Sequence, residues 1–266
     1  MSQKKQLSIL EFSRLTGIKR ENLRFYDRIG LLSPEARGEN GYRYYTRRQL
    51  SSAYLIGSLR LLGVGLEDIR GYSSRRTPEK MLELFARQEA YIQAEIAKLR
   101  ETSEIMEMYA GMARDALCHG ADACLLEERK RERIFLCPPA PEGASEEEGG
   151  ILAYEYANER GVNLGYPSGV LIHHETQSTG ALAWSYRYYF KTGKKGNAWK
   201  PAGRYAVAYG RGDPQQSEAL YLRLLEFIHA QGLKAAGGAY GEPLLDELAV
   251  QDAGQYCIRI EIPVAD

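Results

Sequence analysis

The sequence predicts an α+β chain in three parts. These are an N-terminal winged helix-turn-helix over residues 1–76, a long dimerisation helix over 77–117, and, past a linker over 118–128, an antiparallel α+β domain of two β-α-β-β repeats over 129–266. Three observations predict it. A short basic helix from Lys19 is followed by a hairpin with Asn40-Gly41 at its turn, a pair that tolerates positive φ. From Pro78 to about Leu117 the only glycine is Gly111 and no further proline occurs, which permits a helix about 60 Å long. Beyond it, apolar alternation of period two and amphipathic helical stretches succeed one another as β-α-β-β, twice.

A chain of 266 residues has room for two domains. Its 44% hydrophobic and 26% charged residues are those of a soluble globular chain and exclude a disordered one. No apolar run is long enough to span a bilayer and no signal peptide opens the chain, so the expected location is cytoplasmic, with no membrane partner. Four cysteines in this length make no disulfide framework. The formal net charge of zero hides a split: residues 1–76 hold 15 Lys and Arg against 7 Asp and Glu, and the remainder 20 against 28. A basic module points to a polyanion, and an acidic body would suit a cation.

The elements follow in order. Ser8-Ile9-Leu10-Glu11 is a capping box, starting a helix with Ile9, Phe12 and Leu15 on one face that stops at Thr16-Gly17. The next helix turns Leu23 and either Phe25 or Tyr26 inward and sets Arg20 and Arg24 one turn apart on one face. The glycine-containing turn between them makes a helix-turn-helix. The hairpin returns along Tyr42-Arg43-Tyr44-Tyr45, so a basic helix for the major groove sits beside a strand of phosphate donors, as a reader of double-stranded DNA requires. Thr46 to Gln49 reads as a second capping box, for a helix carrying Leu50, Ala53, Tyr54, Ile56 and Leu59 and closed by Gly63; residues 66–70 form a short fourth helix.

Thr77 caps the long helix and Pro78 opens it. Along it Phe85, Ile92, Ile96, Leu99, Met106, Ala110 and Ala113 keep a three-to-four spacing, interrupted by Glu89 and Ser103. That is a coiled-coil seam, and so long a helix needs a partner along its length, which predicts a homodimer. Cys118, His119 and Cys124 then offer soft ligands, which opens an alternative reading as a metal or redox sensor. The other reading is a linker that contains two thiols. A closed structural metal site would normally show four ligands, so no metal residue and no cofactor are assigned.

In the last domain, 133–136 reads as a strand, 138–150 as an acidic flexible loop and 151–160 as a helix. Residues 169–175, 182–191 and 204–209 read as strands, 214–231 as a helix bearing Leu220, Leu224 and Ile228, and 239–248 and 255–264 as the last strands. Two such halves would join into one curved sheet with a cleft at the pseudo-two-fold axis. The strands are rich in aromatics: Trp184, Tyr186, Tyr188, Tyr189, Phe190, Tyr205, Tyr209, Tyr240 and Tyr256. Alternation sends Trp184, Tyr186, Tyr188 and Phe190 to one face and Tyr189 to the other. Tyrosine offers a flat apolar face, a cation–π surface and a hydroxyl. Glu242 lies in a mostly apolar strand, where an acid is costly unless a cation or a donor satisfies it. Its neighbours Asp246 and Glu247 are further candidates for the same role.

The segments TGIKRENLRFYDRIGLLSP, NGYRYYT and LRLLGVGLEDIR resemble the MerR family of transcription regulators over about the first 70 residues. The resemblance implies DNA contacts by Arg24 and Tyr26 on the helix and by Tyr42, Arg43 and Tyr45 on the hairpin; Lys19, Arg20 and Phe25 on the helix and Arg37 on the hairpin complete the candidate DNA-contact set. It also implies antiparallel pairing of the long helices, and activation by distorting an over-long promoter spacer for RNA polymerase. Phe25 stands where many members have Tyr, which removes a phosphate-bonding hydroxyl. Lys19 replaces the usual Ser or Thr cap, at a cost of up to about 1 kcal/mol.

The segments GRYAVAY and AYGEPLLDE resemble the GyrI-like ligand-binding domain, a combination similar to multidrug-sensing MerR regulators. That implies a small lipophilic, cationic aromatic ligand, with its charge on Glu242 and its rings among Tyr166, Tyr209 and Tyr256, and control of multidrug efflux. Trp184, Tyr186 and Tyr240 complete the candidate ligand set. Some GyrI-like domains resemble hydrolases with a cleft Glu as base. No nucleophile–base pair or G-x-S-x-G motif occurs here, so the reading is a sensor, not an enzyme, with no catalytic residue.

Overall fold

The computed structural model describes residues 6–120, 123–141, 143–176, 182–212 and 217–266, without the side chains of 146, 174–176 and 182–184. The chain forms two compact units, one ending at Leu99 and one beginning at Arg100. The division falls inside a single helix.

The first unit holds β1 (Leu7–Ser8), α1 (Ile9–Thr16), α2 (Arg20–Arg28), β2 (Ala36–Arg37), β3 (Arg43–Tyr45), α3 (Gln49–Leu61), α4 (Leu66–Ser74) and the first part of α5 (Pro78–Cys118). The Ser8 capping box is fully formed: Glu11 N donates to Ser8 Oγ at 3.2 Å and Ser8 N donates to Glu11 Oε2 at 2.8 Å. Gly17 ends α1 in the left-handed region at φ 72°. Lys19 provides no side-chain cap for α2. Thr46 N donates to Gln49 Oε1 at 2.9 Å, but α3 begins at Gln49, so only the returning half of the second box is present. The three strands run antiparallel in the order β1-β3-β2, and because Arg37 pairs with Arg43, the connection is a five-residue loop and not a two-residue turn. Phe12, Leu23, Tyr45, Ile56, Leu59, Ile69 and Leu84 form the core.

Thr77 Oγ1 accepts from Lys80 N at 3.3 Å, which starts α5 where the sequence predicts. Of the expected seam, Phe85, Ile92, Leu99 and Met106 are exposed. On α5 only Leu84, Met112 and Ala116 are buried.

The second unit adds β4 (Cys124–Arg129), β5 (Glu132–Leu136), α6 (Glu146–Glu159), β6 (Ser168–Thr176), β7 (Leu182–Phe190), β8 (Ala198–Lys200), β9 (Gly203–Arg211), α7 (Ser217–Ala230), β10 (Lys234–Ala235), β11 (Ala239–Leu245) and β12 (Cys257–Ala265). They form one antiparallel sheet in the order β4-β9-β12-β11-β6-β7-β5-β8, with β10 beside β12. Two expectations are corrected here. The linker over 118–128 contains β4, which pairs with β9 from Cys124 to Arg129. The acidic loop over 138–150 contains the first turn of α6, capped by Ser145, whose Oγ accepts from Glu148 N at 3.2 Å. Residues 121–122 of the Cys118–Cys124 stretch and 214–216 of the predicted seventh helix lie outside the described residues.

The sheet is covered on both faces. On one, Leu220, Tyr221, Leu224 and Ile228 of α7 pack on Ala206, Ala208, Ile260 and Ile262, while Ala153 and Ala157 of α6 join Phe135, Phe190 and Tyr166. On the other, Met112 and Ala116 of α5 join Tyr189, Tyr205, Val207, Tyr209, Tyr240 and Leu244.

Candidate functional site: a DNA-reading surface and an aromatic cleft

Alternation and helical spacing decide which side chains of the first unit reach solvent. On α2, Lys19, Arg20, Arg24 and Phe25 are exposed, and Arg28 lies over the Phe25 ring at 5.6 Å. Tyr26, a predicted contact, is instead buried with Leu23 in the core, so the helix turns Tyr26 inward and Phe25 outward. Tyr45 is corrected likewise. It is fully buried and stacked on Phe12 at 4.4 Å, and its burial pushes the phenol pKa up. Tyr42 and Arg37 are exposed at the hairpin. Arg37 and Arg43 both bind Asp27 of α2, at 2.7 Å each. The surface is therefore basic, with its helix and hairpin arginines on one contiguous module.

In the second unit a cleft of about 380 Å³ opens on the sheet face that carries α6 and α7, within the size range of small-molecule sites. Tyr154, Tyr186, Tyr188 and Tyr256 line it, with Val170, Ile172, Pro243, Ile258 and Ile260 as apolar floor. Among the described residues, the charged ones that line it are all acidic, Glu242, Asp246 and Glu247. Of the predicted ligand set, Tyr186 and Tyr256 are brought together here. Tyr209 and Tyr240 belong to the core of the opposite face, and Tyr166 is buried in the core under α6. The Trp184 side chain lies outside the described ones.

Glu242 borders the cleft, but its carboxylate does not serve it. Alternation points Gly241 and Pro243 toward the cleft and Glu242 away. The group is fully buried: Lys191 Nζ lies 2.9 Å from both of its oxygens, Arg259 Nη2 2.6 Å from Oε2, Lys200 Nζ 3.5 Å from Oε1, and Tyr189 Oη donates to Oε1 at 2.7 Å. Burial alone would raise its pKa; Lys191, Lys200 and Arg259 together outweigh that and hold it well below the usual carboxylate range. The expectation that Glu242 neutralises a bound cation is therefore corrected: three cations of the chain already do so. Asp246 and Glu247 remain as the carboxylates of the cleft.

The cluster extends to Glu261, 2.6 Å from Lys200 Nζ and 2.7 Å from Arg259 Nε, and to Asp115 near the end of α5, which binds Arg259 and accepts from Tyr209 Oη at 2.9 Å. Sequence reasoning missed Lys191, Arg259 and Asp115. Cys257-Ile258-Arg259-Ile260-Glu261-Ile262 alternates as a half-exposed strand would, whereas both of its faces are covered. Tyr154 was missed as well; its helical spacing gave no sign of the sheet it faces. Of the thiols, Cys118 is exposed, Cys124 half-buried and Cys137 and Cys257 buried. Among the described residues no three His, Cys, Asp or Glu side chains converge as metal ligands would.

A basic helix-turn-helix unit and a sheet unit with an aromatic cleft, in one chain, define a ligand-responsive regulator of transcription that binds DNA. Residues 7–75 match the family described as MerR HTH family regulatory protein. The chain is 31% identical over 255 residues to the multidrug-efflux transporter 2 regulator of Bacillus subtilis, covering 93% of this chain and 92% of that protein. It belongs to the MerR family of transcription regulators and is not an enzyme. It is also 37% identical over 62 residues to the regulator CueR of Escherichia coli, covering 23% of this chain and 46% of that one. Among solved structures it is similar to the EcmrR–DNA complex, with 19% identity, a TM-score of 0.43, and coverage of 98% of this chain and 100% of that one. No described helix is long and apolar enough to cross a membrane.

Proposed function

We propose that the protein is a cytoplasmic, homodimeric activator that senses a lipophilic aromatic compound in its C-terminal cleft and alters a promoter for RNA polymerase, with multidrug efflux as its target. Residues 1–76 act as a winged helix-turn-helix, with β2-β3 as the wing. Lys19, Arg20, Arg24 and Phe25 face the major groove, and Arg37, Tyr42 and Arg43 face phosphates. The exposed row Phe85, Ile92, Leu99 and Met106 supports pairing of α5 with a second copy, since a helix face this apolar needs cover. The order β5-α6-β6-β7 and then β9-α7-β11-β12, with β6 beside β11, supports two β-α-β-β halves meeting at the cleft.

The observation that carries the ligand reading is a cleft lined by four tyrosines and, among the described residues, by the carboxylates of Asp246 and Glu247. Tyrosine faces and nearby carboxylates favour an aromatic cation over an anion. The test is a titration of the full chain with tetraphenylphosphonium, followed by tryptophan fluorescence, beside neutral triphenylphosphine oxide. Saturable binding is expected, tighter for the cation, and weakened at least fivefold in Tyr186→Ala. Equal affinity for the two probes would remove the charge preference. No saturation by either would remove the reading.

A further inference from the structure

The DNA-reading helix and the hairpin meet at one carboxylate. Asp27 lies in the last turn of α2, with its side chain only 4% exposed. Arg37 from β2 and Arg43 from β3 each place a nitrogen 2.7 Å from the same oxygen, Oδ2. A buried carboxylate is tolerated only when paired, and here one oxygen collects a donor from each strand of the hairpin.

The two arginines use different atoms. Arg43 donates through Nε, which leaves both of its terminal nitrogens, and Arg37 donates through Nη2, which leaves Nη1 and Nε. The guanidinium donors lie in one rigid plane, so fixing one of them aims the rest. The Arg37 side chain is 58% exposed and that of Arg43 22%, so both retain donors at the surface. We infer that Asp27 is a positioning residue for DNA binding: it orients Arg37 and Arg43 so that their remaining N–H groups meet phosphate oxygens without searching for a rotamer. This rests on the reading of Arg37 and Arg43 as phosphate contacts.

Two effects of Asp27→Asn have opposite signs, which makes the inference decidable. Removing a negative charge beside a polyanion tightens binding if charge alone matters. Removing the anchor weakens it if positioning matters. The experiment uses the full-length protein and a 30-base-pair duplex recovered by the wild type from a random library, with affinity read by fluorescence anisotropy over a range of salt. Asp27→Asn is expected to bind at least fivefold more weakly, with a salt slope shallower by about one to two, as for one or two lost phosphate contacts. Arg37→Gln and Arg43→Gln are each expected to weaken binding as well, and Asp27→Asn added to the two together to cost little more, because the effect runs through these two side chains.

If Arg37→Gln and Arg43→Gln both bind like the wild type, the phosphate-contact reading fails, and the inference with it. If they weaken binding while Asp27→Asn binds equally or more tightly, only the positioning role is overturned. Should Asp27→Asn not fold, by circular dichroism, Arg43→Lys decides instead. It keeps the charge but cannot present a fork while bound to Asp27, so a severalfold loss supports positioning and wild-type affinity overturns it.

Discussion

Glu242 sits where a carboxylate is most costly, and Lys191, Lys200, Arg259 and Tyr189 hold it there. Breaking a buried ion pair from one side leaves the other charge uncompensated, which costs about 3–5 kcal/mol. Glu242→Gln keeps the shape and the acceptor for Tyr189 but not the charge, so its unfolding free energy from urea titration at pH 7 is expected to fall by an amount of that order. The pH dependence has a definite sign. The folded carboxyl binds its proton more weakly than an ordinary one near 4.5, so acid favours the unfolded chain. The contribution is complete above about pH 4.5 and drains away as pH falls below it. Wild type should therefore lose more stability than Glu242→Gln between pH 5 and pH 3; equal losses would exclude the charge cluster as a stabilising unit. The need for partners was legible in the sequence, because an acid in an apolar strand requires them. Their identity was not: Lys191 and Arg259 stand 51 and 17 residues away and become neighbours only through strand register. The same holds for the hairpin, where Arg43 to Tyr45 form a returning strand as expected but nothing local said that Phe12 would claim Tyr45.

Where β6 meets β11, two backbones approach closely. A Cβ on Gly169 would stand 2.5 Å from the Tyr189 ring and 2.8 Å from Gly241 O, so the glycine is required by its neighbours. Overpacking of this kind costs about 1–3 kcal/mol. Gly169→Ala is therefore expected to lower the melting temperature by several degrees, while Gly193→Ala, which meets nothing within 4 Å, should not. Equal melting of the two variants would show that the strands can part at this seam without loss. Most elements were legible because their periods are local: α1 from its capping box, α5 from Thr77-Pro78, and β6, β7, β9 and α7 from period two or the helical repeat. The exceptions have local causes too. Ser145 and Glu148 repeat the Ser8 and Glu11 capping pattern, but the surrounding Pro, Gly and Glu residues suggest a loop. β4 begins only four residues before Glu128, and its Cys124-Leu125-Leu126 run is too short to declare a strand without β9 beside it.

The helix α5 contributes to both compact units, since they divide between Leu99 and Arg100. Its last turns are clamped to the sheet: Asp115 binds Arg259 and Tyr209, and Ala116 O accepts from Arg211 Nη2 at 2.6 Å. Arg259 in turn holds Glu242, whose neighbours on β11, Gly241 and Pro243, line the cleft. A ligand that presses on β11 thus acts on a strand tied by one arginine to the helix end. Coupling between two sites is reciprocal, so the factor by which ligand changes DNA affinity is the factor by which DNA changes ligand affinity. Tetraphenylphosphonium should therefore bind the free full-length protein and its complex with the selected duplex with affinities that differ about fivefold or more. Asp115→Asn removes the ion pair that ties the helix end to Arg259, while Arg211 still holds Ala116 O and Glu242 stays paired with Lys191 and Arg259. It should bind the ligand within about twofold of wild type when free and show nearly equal affinities with and without DNA, because only interactions unequal between the two states can carry coupling. A variant that keeps the full difference would place the coupling elsewhere than Asp115. One that loses ligand affinity in the free protein would show instead that Asp115 shapes the cleft itself, through Arg259 and the strand it holds.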